Sequence, residues 1–408
     1  VVAVLLGAVT VAQAADDAPP PRTYPNVLAE AGYSASEIDA RVDAAWQQLF
    51  HGAPGTAADR RDGQSVYYQL TPDMAYVEDI GNQDVRSEGM GYAMMIAVQL
   101  DHQQEFDALW NFAKSKMQIK NGVNRYLFSW HTDTTGRVLD AGIAPDGDEW
   151  IAIALAFAAN RWGNGQGIYE YRREAQQIVR AMWHQSDTGG VDMFDRTTHL
   201  PYFSPPGAVA FTDPSYCLPA FYKVFAELVP EDRALWDAAY TASQELLRRA
   251  SHPTTGLFPS YSTFAGAPTA GWGGNNPDAY GATFQEDAWR AIANVNMDAA
   301  WHGTQAWHTE LSNRLATFFA ARGITSYTSR YRLDGTPVVQ GQNSYEPPHA
   351  EGLVAMNSTM AISATHPDRL EFVHDLWNTP VPSGQARYYD GLLYLLGLLY
   401  DSGNFRIW

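Results

Sequence analysis

Cysteine is nearly absent. Cys217 stands alone in 408 residues, so no internal disulfide can form. Its surroundings read as an apolar helix, which makes it a buried, inert thiol rather than a nucleophile. Positive charge is also scarce: 27 Lys and Arg face 45 Asp and Glu, a formal net charge of -18. With no basic cluster to track a phosphate backbone, nucleic acid is excluded as a partner. Zinc-ligand spacings, a Walker loop and a nucleophile elbow are all missing. The glycine-rich Gly163-Asn-Gly-Gln-Gly167 follows a helix rather than a strand, so it reads as a turn. The apolar stretch Val1–Val11 is too short to span a membrane, and no membrane partner is expected. Followed by Ala12-Gln13-Ala14, it reads as part of an export signal with its cleavage site, the start being missing. Asp16–Arg22, with three consecutive prolines, reads as a disordered leader. Residues 1–22 are therefore set apart from a single domain at 23–408, and a secreted or periplasmic location is expected.

What the chain does have is helical periodicity of two kinds. One-faced helices begin with Ser34-x-x-Glu37, a capping box, which leads into Ile38, Val42, Trp46 and Leu49 on one side. Asp101 is expected to cap the next, which carries Phe106, Leu109, Trp110, Ala113 and Met117. Similar helices are expected near 169–185, 231–250, 304–321 and 367–378. Between them lie segments rich in Ala, Met, Leu and Tyr on nearly every face, near 84–100, 147–161, 213–228, 284–301, 351–364 and 386–402. A one-faced helix covers a core, and an all-apolar helix lies inside one. Six of each, alternating, predict an all-α fold: an (α/α)6 barrel with six inner and six outer helices. Short β-hairpins are expected in its loops, one of them at 331–339 around Asp334-Gly335.

The inner helices share a further property. Their starts carry Glu88; Asp146, Asp148 and Glu149; Asp213 and Tyr216; Glu286 and Asp287; Glu351; and Tyr388, Tyr389 and Asp390. In a ring of parallel helices these ends converge on one rim. Loops bring Trp130, Tyr202, Trp272 and Tyr280 to the same side. Any one acid is explained by capping and the helix dipole, and Asp213 before Pro214 reads as such a cap. Repetition at the same end of all six apolar helices also fits an acidic, aromatic-lined cleft. Among 13 Trp and 22 Tyr most are core, but flat faces with polar tips also suit a saccharide. Paired carboxyls beside such faces point to glycosidic bond cleavage, one as proton donor and one as base or nucleophile.

Four segments carry a family resemblance. Asp84-Val-Arg-Ser-Glu-Gly-Met-Gly-Tyr-Ala-Met-Met, Ala144-Pro-Asp-Gly-Asp-Glu149, Phe211-Thr-Asp-Pro-Ser-Tyr-Cys-Leu-Pro-Ala-Phe-Tyr222 and Glu286-Asp-Ala-Trp-Arg290 resemble glycoside hydrolase family 8, and within it the reducing-end xylose-releasing exo-oligoxylanases. The likeness runs from about residue 25 to the C-terminus, and its order and spacing agree. It implies an (α/α)6 barrel, a xylooligosaccharide substrate and inversion of configuration; that chemistry needs no cofactor or metal, and a monomer is expected. It assigns Glu88 as general acid, Asp287 as general base and Asp146 as the aspartate that holds and distorts the sugar. Trp130 matches a stacking residue, and Tyr216 a hydroxyl contact. Arg86 and Arg290 are expected to bind sugar hydroxyls or to pair with the acids. His349, in Tyr345-Glu-Pro-Pro-His-Ala-Glu-Gly352, is expected to close the cleft and bind the reducing-end hydroxyl. Cys217 departs from the family pattern, where another residue type, often His, is expected. The alternatives are an endo-acting β-1,4-xylanase or β-1,4-glucanase of the same family, or a saccharide-binding protein without catalysis. A placed acid and base argue against the last.

Overall fold

Ser34 begins the first long helix as its capping box requires. Its hydroxyl accepts the Glu37 N–H, and the Glu37 carboxylate accepts the Ser34 N–H at 2.8 Å. The structure, a computed structural model, describes residues 22–56, 59–205, 210–273, 276, 278–338 and 348–408. The export-signal segment 1–21 lies outside them. Among the described residues, beyond the single turn Val27–Glu30, twelve α-helices follow one another: α1 (Ala35–His51), α2 (Ser87–Leu100), α3 (Gln103–Phe112), α4 (Pro145–Arg161), α5 (Tyr171–His184), α6 (Pro219–Leu228), α7 (Arg233–Ala250), α8 (Glu286–His302), α9 (Ala306–Ala320), α10 (Glu351–Ser358), α11 (Arg369–Asn378) and α12 (Tyr389–Asp401).

The two kinds of helix occupy the two rings of an (α/α)6 barrel. Helices α2, α4, α6, α8, α10 and α12 each pack on the next, and α12 returns to α2, closing the inner ring. Their sequences explain the position. Every residue of α2 from Gly89 to Gln99, and of α4 from Pro145 to Ala159, is buried. The one-faced helices α3, α5, α7, α9, α11 and α1 cover them from outside in the same order. Helices α2 and α4 approach closely at their N-terminal ends because Gly147 has no side chain. A Cβ there would lie 2.2 Å from Ser87 Oγ. That approach brings Glu88 beside Asp146. No helix among the described residues is long and apolar enough to cross a membrane.

Several boundaries differ from the sequence expectation. Residues 84–86 are strand rather than helix. Strands β1 (Tyr67–Thr71) and β2 (Met74–Val77) form a hairpin, while β3 (Asp84–Arg86), β4 (His131–Asp133) and β5 (Val138–Asp140) form a small antiparallel sheet in that order. Strand β3 is fixed by a partner over forty residues away, which local periodicity cannot reveal. Asp101 does not cap α3. It ends α2 in the left-handed conformation, φ 70°, and the residue before α3 is His102, which makes no side-chain cap. The segment at 213–228 is split into one 3-10 turn, Pro214–Tyr216, and α6. Pro219 keeps Leu218 out of helical geometry, so the helix cannot run through. Cys217 therefore sits between the two elements, not within a helix, and it is fully buried. At 331–338 a turn forms as expected, with Tyr331 bridged to Pro337 around Gly335 at φ 90°; Val339 lies outside the described residues.

Candidate active site

The site is organised by Arg290, one turn into α8. Its Nη1 donates to Glu88 Oε2 and Asp146 Oδ2, each at 2.8 Å, and to the Tyr92 hydroxyl at 2.7 Å. Its Nη2 donates to Asp287 Oδ1 at 3.1 Å, and Asp213 Oδ2 lies 3.8 Å away. Four carboxyl groups from four elements thus meet one guanidinium. The reason lies in the fold: α2, α4, the Pro214–Tyr216 turn and α8 all begin at the same end of the inner ring. Arg290 and Asp287 are three residues apart and share a helix face. Tyr92 lies one turn beyond Glu88 and so faces the same point.

One positive charge cannot balance four ionised carboxylates, and burial settles which keep protons. Asp146 is buried to 3 % exposure and Asp213 completely. Burial pushes Asp146 up to about 7 against the pull of Arg290, with Glu88 and Asp287 adding to the rise. Burial, helped by Asp287, raises Asp213 well above the usual carboxylate range. Glu88 is raised as well, by burial first and then by Asp287, although Arg290 opposes it. Asp287 is the most open of the four, with 24 % of its side chain exposed. Its N–H donates to the Tyr280 hydroxyl at 3.1 Å. A carboxyl whose proton is held more tightly than usual and a more exposed carboxyl therefore sit on neighbouring nitrogens of one planar fork.

A cleft passes over this point in two halves that share Arg86, Glu88, Tyr261 and Asp287. One half is lined by Asp79, Tyr280, Gln385 and Tyr388. The other is lined by Trp130, Asp146, Phe203, Tyr216 and Trp272. Trp130 is held by its backbone, which accepts the Ser87 N–H and donates to Gly142 O, both at 2.9 Å. His131 stacks on its ring at 4.5 Å. Trp272 is 62 % exposed and lines the cleft, so its indole is open to a ligand there. Tyr216 is buried, with the Arg290 guanidinium 5.6 Å from its ring centre and Phe203 stacked at 5.5 Å.

The expected site residues divide accordingly. Glu88, Asp146, Asp287, Trp130, Tyr216, Arg86 and Arg290 are brought together. Arg290 is engaged by acids and buried, so pairing rather than sugar binding describes it. Arg86 is likewise held by Asp79 at 3.2 Å and Asp84 at 3.1 Å, while lining the cleft. His349 is not brought there. Its Nδ1 meets Tyr327 O at 2.9 Å and its Nε2 meets Asp375 of α11 at 3.2 Å, so both ring nitrogens are taken on the outer side. Residues 339–347, which lead up to it, lie outside the described ones. Other rim acids serve the core. Asp148 accepts the Phe128 N–H, Glu149 accepts the Tyr222 hydroxyl, and Asp390 accepts the Gly352 N–H. Glu286 pairs with Arg330. Asp213 caps its turn, accepting the Ser215 N–H at 2.7 Å, and also borders Arg290. Tyr202 donates to Asp195 and does not line the cleft.

Sequence reasoning placed Tyr388 on the rim without a task and did not single out Tyr92, Tyr261 or Asp79. Tyr92 could have been found from its four-residue spacing to Glu88; Tyr261 and Asp79 come from other segments and had no local signal. Among the described residues no grouping of three or more His, Cys, Asp and Glu could hold a metal ion.

The family described as glycosyl hydrolases family 8 matches residues 76–403. The reducing-end xylose-releasing exo-oligoxylanase of Paenibacillus barcinonensis is 40% identical over 391 residues, covering 95% of this chain and 97% of that one. The enzyme of that description from Halalkalibacterium halodurans is 39% identical, covering 95% of each. A solved structure of the Paenibacillus barcinonensis protein complexed with xylose superimposes with a TM-score of 0.85 at 40% identity, covering 94% of this chain and 97% of that one.

Proposed function

The chain belongs to glycosyl hydrolases family 8 and is a glycoside hydrolase, and on that premise we propose that it releases xylose from the reducing end of β-1,4-xylooligosaccharides with inversion. The observation that carries the chemistry is the Arg290 fork, with Glu88 on one nitrogen and Asp287 on the other. In this reading the protonated Glu88 gives its proton to the glycosidic oxygen. The bond to the anomeric carbon breaks, and its electron pair stays on the leaving sugar. A water on the opposite face attacks that carbon and loses a proton to Asp287. Inverting carboxyl pairs stand roughly 6.5–9.5 Å apart to admit the water. A guanidinium between the two groups fits that spacing better than direct contact. The burial that raises Glu88 supports its role as acid.

Asp146 acts on the sugar at the cleavage point, and Trp130 and Trp272 supply stacking faces. The restriction to the reducing end rests on the similarity to the two exo-oligoxylanases, not on His349. Export to the periplasm or medium rests on the Val1–Ala14 pattern alone, and action as a monomer is part of the same proposal. Xylotetraose labelled at its reducing end tests the reading. Labelled xylose should be the first product, and proton NMR of fresh product should show the α anomer at the new end. Labelled xylobiose as the first product would instead indicate internal cleavage.

A further inference from the structure

Glu88 has two oxygens with different neighbours. Oε2 faces Arg290 Nη1, which carries protons and has no lone pair to accept one. The proton that Glu88 holds must therefore sit on Oε1. The partner of Oε1 is the Tyr388 hydroxyl, 3.1 Å away and contributed by the turn that leads into α12. Tyr388 is 3 % exposed and lines the cleft. The remaining charged or titratable groups around Glu88 are Arg86, Asp146, Asp287 and Tyr389, together with the Tyr92 hydroxyl on the Oε2 side.

The contact is built into α2. A Cβ on Gly89 would lie 2.5 Å from Tyr388 Cε2 and 2.6 Å from its hydroxyl oxygen. Only glycine after Glu88 lets the phenol lie across the first turn of α2. The Glu-Gly pair thus seats a tyrosine from three hundred residues away on the acid's free oxygen.

We propose that Tyr388 is the positioning residue of the acid: it holds the proton of Glu88 on Oε1 before cleavage and donates to Oε1 afterwards. This rests on the reading of Glu88 as general acid. In the free enzyme the Oε1 hydroxyl donates to the phenol oxygen. When the glycosidic oxygen arrives, the Oε1 hydroxyl turns to it and the proton moves across, the bonding pair of the C–O bond leaving with the sugar. The new carboxylate then accepts the phenol O–H, while Arg290 continues to hold Oε2. Tyr388 stays protonated throughout, because burial and the neighbouring Glu88 both raise it. A hydrogen bond to an ionised carboxylate outweighs the same bond to its neutral form. Tyr388 therefore favours the product of proton transfer.

Tyr388→Phe removes the hydroxyl and keeps the ring. On xylotriose kcat should fall by roughly tenfold or more with KM little changed. The alkaline limb of kcat/KM, which reports the acid, should move to higher pH by about half a unit to one unit. Gly89→Ala, which pushes the ring aside but keeps the hydroxyl, should move that limb the same way, and serves if the first variant does not fold. Glu88→Gln is the control. If it cleaves xylotriose at the wild-type rate, the assignment of Glu88 itself is wrong. If it is inactive, and Tyr388→Phe loses rate with its alkaline limb in the wild-type place, Tyr388 is packing only and the inference is overturned.

Discussion

Asp146→Asn changes one atom type and removes one charge from the Arg290 cluster, and the size of the effect can be worked out. Glu88 Oε2 and Asp146 Oδ2 are each 2.8 Å from the same nitrogen, so they are at most twice that distance apart. At roughly 5 Å and an effective dielectric constant near 20, two unit charges repel by about 3 kcal/mol. That is equivalent to about two pH units of proton affinity. Burial pushes Asp146 up to about 7, so its charge, and with it the repulsion, is present on the alkaline side, where the acid role requires Glu88 to keep its proton. The asparagine should let Glu88 ionise earlier. The alkaline limb of kcat/KM on xylotriose should fall by roughly one to two pH units, the lower value allowing for screening by Arg290. The turnover itself should drop as well, through lost contact with the sugar. If it drops too far for a rate profile, carboxyl 13C NMR of Glu88 in both proteins carries the test. An alkaline limb and a Glu88 titration that stay where they are in the wild type would refute the expectation, drawn from the short Glu88–Asp146 separation, that Asp146 raises the acid.

Away from the cleft, Asp401 at the end of α12 is fully buried, and burial pushes its carboxyl up to about 8. The folded chain keeps this proton between about pH 4 and 8 while the unfolded chain releases it. Stability is therefore lost as pH rises through that window, by several kcal/mol in all. Asp401→Asn should raise the urea midpoint at pH 8 and change it little at pH 4.5; an equal gain at both would exclude titration as the cause. For His349, burial lowers the imidazole, but the bonds to Asp375 and Tyr327 O outweigh it and leave it raised. The ion pair thus stabilises the fold below about pH 6.5 and is lost as pH rises through the raised value. His349→Gln should cost about 1 kcal/mol at pH 5.5 and less at pH 8.5, with the products from xylotetraose unchanged; altered products would return His349 to the substrate path. Asp287→Asn should abolish turnover of xylotriose while binding, followed by calorimetry, persists; near-normal turnover would remove Asp287 from the role of base.

The double ring was legible because each helix states its layer in its own residues. α1 and α5 carry one apolar face, whereas α2 and α12 carry apolar residues all round. The exceptions share a cause. β3 was read as the start of α2 because Val85 and Arg86 differ little from helix residues, and only β4 makes them strand. The break at Pro219 was visible in the sequence, but the apolar residues on both sides masked it. In the site, Glu88, Asp146 and Asp287 stood out through the resemblance, and position at helix starts supported them. For Arg290 the sequence leaves sugar binding and pairing with the acids both open, because its acids come from segments up to two hundred residues away and only the assembled ring decides for pairing. His349 was placed on the rim by its position just before α10. The direction of its ring is decided by Asp375, which no nearby residue announces.

The closure of α12 on α2 has a kinetic meaning. Each inner helix can form with its outer neighbour from nearby sequence, but Tyr388 reaches Glu88 only when the last helix meets the first. Arg290 likewise gathers its acids only from an assembled ring. Pairings of such long sequence separation pay their loop entropy before they return any energy, and they form late. Recovered activity on refolding is therefore a clock for the final joining step, and it should trail the return of helical signal.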